Sequence, residues 1–320
     1  MEVTRSKIRM AKAKRKNAEQ VKNERSASEL FNFSQDSYLE RTSRPIAAAI
    51  FLLPFIVLYE FGTFRINTDV LNQSQVRVVA FVWLQELLES LGYGGKFAWA
   101  APPLAVVVIL IALQITSGKQ WRFRLADILP MAAECTLLAV PLIVLTLCLS
   151  SWTAPRAGED RLDIAAIEAC TLVPSENFAV AYGGPPQLAA KGEINGSRRS
   201  LWADIVTGIG AGIYEELVFR LILICILMLL FQDILRLPYK NSIVLAVVIS
   251  AALFSAHHHI DFRSGQPNDA DPFNLTEFVF RTIAGVYFAA LFAVRGFGIT
   301  AGTHAFYNII AVSIATRFFQ

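Results

Sequence analysis

The chain has 320 residues, of which 54% are hydrophobic and only 17% charged, with a formal charge of +3. So apolar a composition excludes an ordinary soluble domain and indicates a polytopic helical membrane protein. Four cysteines with no CxxC spacing give no disulfide framework and no thiolate metal signature.

Residues 1–43 carry a dense cluster of Lys and Arg without a continuous apolar run, so they read as a basic, disordered tail held on the cytoplasmic side rather than a signal peptide. Residues 44–153 read as N-terminal transmembrane helices. The spans fall at 45–64, at 97–116 with Pro102-Pro103 near its start, and at 128–152 with Pro141 inside and Glu134 near its entry. Between the first two spans, 78–91 is amphipathic and suits the membrane interface rather than a crossing. Residues 154–199, rich in Gly, Pro and charge, read as an extramembrane loop.

Residues 200–320 hold four more apolar segments, near 203–232, 242–259, 276–294 and 297–316, giving about seven spans in an all-α transmembrane bundle. The first of these is too long for one straight span, and Gly208, Gly210 and Gly212 invite a break or a close helix contact. Only Arg295-Gly296 separates the last two, which makes them antiparallel neighbours.

Polar groups concentrate in this last part, where a charge at the membrane centre costs roughly 2.5–3.5 kcal/mol on the insertion scale. Glu215 and Glu216 are followed by Arg220; Phe254 by His257, His258 and His259; His304 by Asn308, so that all four histidines of the chain lie in two short stretches. Glu216 and Arg220, at i,i+4, can pair, leaving Glu215 as the freer carboxylate and a candidate general base. His304 and Asn308, also at i,i+4, can aim at one spot. Of the three adjacent histidines, one faces the bundle and two read as a cluster at the membrane surface. Helix alternation brings the three stretches to one depth, as a site requires. The same residues would also serve as an ion-pair knot in a non-catalytic scaffold of bacteriocin-immunity type, or as a relay in an ion-coupled transporter; no inverted repeat supports the latter.

Taken in order, Glu-Glu-x-x-x-Arg (215, 216, 220), Phe-x-x-x-His (254, 258) and His-x-x-x-Asn (304, 308) resemble the CPBP family, the CAAX-processing and bacteriocin-processing intramembrane proteases, also called Abi or type II CAAX prenyl endopeptidase-like proteins, over residues 200–316. The resemblance implies a glutamate-dependent or metallo-endopeptidase that hydrolyses a peptide bond of a membrane-associated or lipid-modified protein. Glu215 and His258 would activate water and His304 and Asn308 would bind the oxyanion, with Glu216, Arg220 and Phe254 supporting. The spacing of Phe254 selects His258 among the three histidines. The cofactor is either zinc, held by Glu215, His258 and His304, or none; the expected partners are the lipid bilayer and a membrane-associated protein or peptide substrate, with no nucleic acid. Counting spans from a cytoplasmic N-terminus puts Lys119, Arg122 and Arg124 inside and the His258 end of its helix on the opposite face.

Overall fold

The computed structural model describes residues 36–69, 78–93, 100–153, 201–262, 265–267 and 272–318. The expected extramembrane loop 154–199 and most of the basic tail lie outside these residues. Among the described residues every regular element is helical: α1 (Tyr38–Thr42), α2 (Pro45–Asp69), α3 (Val79–Ser90), α4 (Ala101–Ser117), α5 (Ile128–Thr153), α6 (Leu201–Ile234), α7 (Tyr239–His259) and α8 (Leu275–Phe318).

Five of these helices contain a stretch long and apolar enough to cross a membrane: α2, α5, α6, α7 and α8. The chain is an integral membrane protein built as an all-α bundle. Helix α8 breaks at Gly296, where φ is 74° and ψ 179°. That positive φ suits glycine, and a Cβ there would also come within 3.1 Å of the Ser43 carbonyl oxygen. Phe288 and His304, equally far from Gly296 on either side, stack with ring centroids 4.6 Å apart, so the two halves of α8 fold back on each other as the short Arg295-Gly296 connection requires. The seventh expected crossing is α4, which at 17 residues reaches only about 25 Å. Pro102 and Pro103 occupy its first turn, where missing N–H groups cost nothing, and Gly118 in the left-handed region ends it.

Helix α3, 12 residues long, is too short to cross, in keeping with an interfacial segment. It buries Ala80, Phe81, Val82 and Leu84 against the bundle and leaves Leu87 and Glu89 exposed. Phe81 packs on Tyr59 of α2 and Tyr214 of α6, at 5.9 and 4.9 Å between ring centroids.

The structure departs from the sequence expectation at residues 36–43. Residues 36–43, read as the end of a disordered tail, hold a capped helical turn, because the polar ends of α5 and α8 supply partners. Arg295 binds Glu134 at 2.5 and 2.8 Å, the Leu39 carbonyl at 3.0 Å and Thr42 Oγ1 at 2.8 Å, while Tyr38 donates to Glu134 at 2.7 Å. Arg41 forks onto Asp127 with both bonds at 3.0 Å. The Arg44 hydrogen bonds to Glu40 hold that carboxyl below its usual range, and burial together with Glu134 pushes the Tyr38 phenol well above its own. In α6, where the glycines allowed either a break or a close helix contact, the structure shows the contact. Gly208 and Gly212 admit α8: a Cβ at Gly212 would lie 2.5 Å from the Ala305 nitrogen, and one at Gly208 would lie 2.8 Å from Asn308 Cβ.

Gly212→Ala is therefore expected to push α8 away from α6 by clashing with backbone, which cannot rotate aside. Overpacking of this kind costs roughly 1–3 kcal/mol. The melting temperature of the detergent-solubilised protein should fall by several degrees, and an unchanged value would show that the two helices are not in contact.

Candidate active site

All of the residues singled out by sequence are buried. Glu215, Glu216, Arg220, Phe254, His258, His304 and Asn308 are each at most 3% exposed. Glu215 and Glu216 end the first α-helical part of α6, Leu217–Leu223 then runs as a π-helix, and the α-helix resumes at Ile224–Met228. A π-turn shifts backbone hydrogen bonds by one residue and frees carbonyls. Within this stretch the Phe219 carbonyl accepts from Ser250 Oγ of α7 at 2.6 Å.

Glu216 works between two partners. Its Oε2 lies 3.1 Å from Arg220 Nε, an ion pair whose N–H direction misses the oxygen, and its Oε1 accepts from His304 Nδ1 at 2.7 Å. Arg220 lies over the Phe254 ring at 4.1 Å and reaches the Gly285 carbonyl at 3.4 Å. The pairing fixes the His304 tautomer. A carboxylate oxygen accepts, so Nδ1 carries hydrogen and Nε2 is the nitrogen left for chemistry. Phe288 stacked on the ring holds its plane.

Glu215 faces the other way from Glu216, as successive helical residues must, diverging by roughly 100°. Its Oε2 lies 3.9 Å from His304 Nε2, and neither atom has a hydrogen-bond partner among the described residues. Two orphaned, fully buried polar atoms at that separation can be bridged by one small molecule, since hydrogen bonds of about 2.8 Å from a single water oxygen reach both. Asn308 donates from Nδ2 to the Gly208 carbonyl at 3.1 Å, which orients the amide and leaves one amide hydrogen and Oδ1 uncommitted.

The three adjacent histidines do not divide into one buried and two surface groups. His257, His258 and His259 are 7%, 3% and 1% exposed. The sequence periodicity of α7 takes no account of α3 and α8, which cover the sides that would otherwise meet solvent or lipid. Trp83 of α3 packs on His257 at 5.8 Å between centroids, and Arg281 of α8 lies 3.3 Å from His259 Nε2. His257, passed over in the sequence reading in favour of His258, sits 3.8 Å from Glu215 Oε1 through its Nε2. The run of three histidines was the available signal, but only the packing around it tells them apart. As for a metal, the group whose ligand atoms gather within 4.8 Å is Glu215, His257 and His258, whereas His304 offers only Nε2 and stands on the far side of Glu215.

Residues 197–310 match the family model described as Rce1-like, type II CAAX prenyl endopeptidase Rce1-like. A comparison with curated proteins and one with solved structures each found no match. The matched segment contains all of α6 and α7 and the part of α8 that carries His304 and Asn308.

Arg220 is the group on which the buried carboxylate of Glu216 depends. Arg220→Ala should leave Glu216 unneutralised in the bundle, at a cost of roughly 3–5 kcal/mol. Folded protein recovered from membranes, measured by monodisperse yield in detergent, is expected to fall severely, and a yield equal to that of the unmodified chain would show that the ion pair supports nothing.

Proposed function

We propose, from the match of residues 197–310 to the family model described as type II CAAX prenyl endopeptidase Rce1-like, that this chain is an intramembrane endopeptidase acting on a membrane-associated or lipid-modified protein. What supports the reading most is the pair of orphaned atoms, Glu215 Oε2 and His304 Nε2, 3.9 Å apart in a buried, charge-bearing pocket. An unsatisfied buried polar atom costs roughly 1–3 kcal/mol, so two that face each other at this distance favour a small polar molecule between them.

A water bridging that gap meets the carboxylate of Glu215, which takes one of its protons while the oxygen adds to the substrate carbonyl carbon. The carbonyl oxygen becomes an oxyanion. The uncommitted amide hydrogen of Asn308 meets it, and His304 joins as a second donor in its doubly protonated form, with Nδ1–H held by Glu216 and Nε2–H turned to the oxyanion. As the carbon–nitrogen bond breaks, the proton on Glu215 passes to the departing amine, and the carboxylate is restored. His258 stands beside Glu215 in the same corner and shares in orienting the water.

Glu215→Gln keeps the shape of the side chain and removes the base. Hydrolysis of a validated substrate should drop by at least about 100-fold, the span of general-base catalysis, with the melting temperature unchanged. Retention of full activity would remove Glu215 from the role.

The family reading leaves the direction of the site open, and charge argues for one. Arg41, Arg44, Arg122 and Arg295 gather at the end of the bundle where α2 and α5 begin and the first half of α8 ends. Basic residues at span ends stay in the cytoplasm, so the histidine end of α7 opens to the other face. A single cysteine at Ser264 in a Cys-free chain is expected to react in intact cells with a reagent that cannot cross the membrane. Reaction only after the membrane is opened would place the site on the cytoplasmic side.

A further inference from the structure

One corner of the site holds more acceptors than the hydrolysis uses. His257 Nδ1 faces the carbonyl oxygen of Phe254 within hydrogen-bonding reach. A carbonyl only accepts, so the ring hydrogen sits on Nδ1 and Nε2 carries a bare lone pair. That lone pair is aimed at Glu215 Oε1, itself an acceptor, at 3.8 Å. A ring nitrogen of His258 completes a trio whose ligand atoms lie within 4.8 Å of one another, and all three residues are buried. The other Glu215 oxygen, also buried, has no hydrogen-bond partner among the described residues.

Two acceptors that face each other, the His257 Nε2 lone pair and Glu215 Oε1, repel unless a hydrogen or a cation stands between them. We propose that Glu215, His257 and His258 form a binding site for a divalent transition-metal ion of the zinc class. Two imidazole nitrogens and one carboxylate oxygen are the donor types such an ion takes, whereas magnesium and calcium call for oxygen alone. Ligands about 2.0–2.2 Å from a tetrahedral zinc stand about 3.4 Å apart, so the 3.8 Å gap needs to close only slightly. An imidazole whose Nδ1–H is held by a backbone carbonyl is already set in the tautomer and orientation that ligation by Nε2 requires. Phe219 and Trp83, with centroids 4.8 and 5.8 Å from that of His257, keep the ring from turning away. His304 does not belong to the set, because its Nδ1 is committed to Glu216 and it lies across Glu215 from His257.

The site stands on donor geometry alone; its effect on hydrolysis rests on the proposed role of Glu215. A bound ion takes the Glu215 lone pair that water activation needs, so loading lowers proteolysis. The full chain, purified in detergent with an affinity tag free of histidine, stripped with a chelator and equilibrated with zinc sulfate, is expected to retain one zinc per chain after desalting. His257→Ala and Glu215→Gln should each retain less than a tenth of that, and His259→Ala as much as the unmodified chain. Cobalt(II) loaded in place of zinc should give visible bands of tetrahedral intensity that zinc removes and magnesium does not, a readout that needs no variant to fold. No retained zinc, equal zinc in His257→Ala, or cobalt bands displaced by magnesium each overturn the site. Zinc bound as expected by a chain that cleaves no substrate even when stripped of zinc overturns the hydrolytic reading and leaves the site standing; cleavage by the stripped chain without zinc uptake does the reverse.

Discussion

The buried carboxylate of Glu216 is the group around which the helices are forced to agree. In a medium that cannot solvate it, it must be neutralised by protein, and Arg220 on its own helix supplies the charge at 3.1 Å. Arg220 then needs cover of its own, which Phe254 of α7 gives as a ring beneath the guanidinium and Gly285 of α8 gives as a carbonyl. The second oxygen of Glu216 is met by His304, from the far half of α8. One carboxylate thus draws on two other helices. Packings that withdraw α7 or α8 leave an uncompensated charge in the bundle, so the polar network selects one arrangement of apolar helices that could otherwise slide.

The backbone accommodates this network rather than the reverse. Within the π-turn at Leu217–Leu223 the Phe219 carbonyl accepts from Ser250 Oγ of α7, and the wider turn carries Phe219 and Arg220. Phe219 consequently rests against His257, at 4.8 Å between centroids, while Arg220 turns towards Phe254. The same local distortion therefore serves the charged and the aromatic walls of the pocket. It also lets the 34-residue α6 adjust its face along its length without a break at the glycines.

Much of this was legible from residue order. The Glu216–Arg220 pairing follows from i,i+4 spacing, the divergence of the two glutamates from the helical repeat, and the α8 hairpin from the brevity of Arg295-Gly296. What the sequence could not carry is which neighbour covers each face. Gly208, Gly210 and Gly212 could mark a flexible break as well as a contact, and only the approach of Ala305 and Asn308 decides for contact. The three histidines looked divisible because a lone helix shows its sides to different surroundings, but α3 and α8 enclose all three. Residues 36–43 looked like tail because the groups that tie them to the bundle, Asp127 for Arg41 and the Arg122 carbonyl for Arg44, lie some 80 positions away, beyond any local pattern.

The polar clamp at the opposite end of the bundle bears on the site through α8. Arg295 is bound to Glu134 of α5 and to the backbone of α1, one residue before the left-handed Gly296. With that corner pinned, the two halves of α8 leave it in fixed register, and the register is what places Phe288 of the first half flat against His304 of the second. A slip of one residue in the second half would turn the His304 ring away from Glu216 by roughly 100°, and one in the first half would take Phe288 off that ring. The clamp touches none of the reacting groups. Its contribution to the chemistry is the position of one imidazole between two carboxylates, delivered along a helix anchored at its far end.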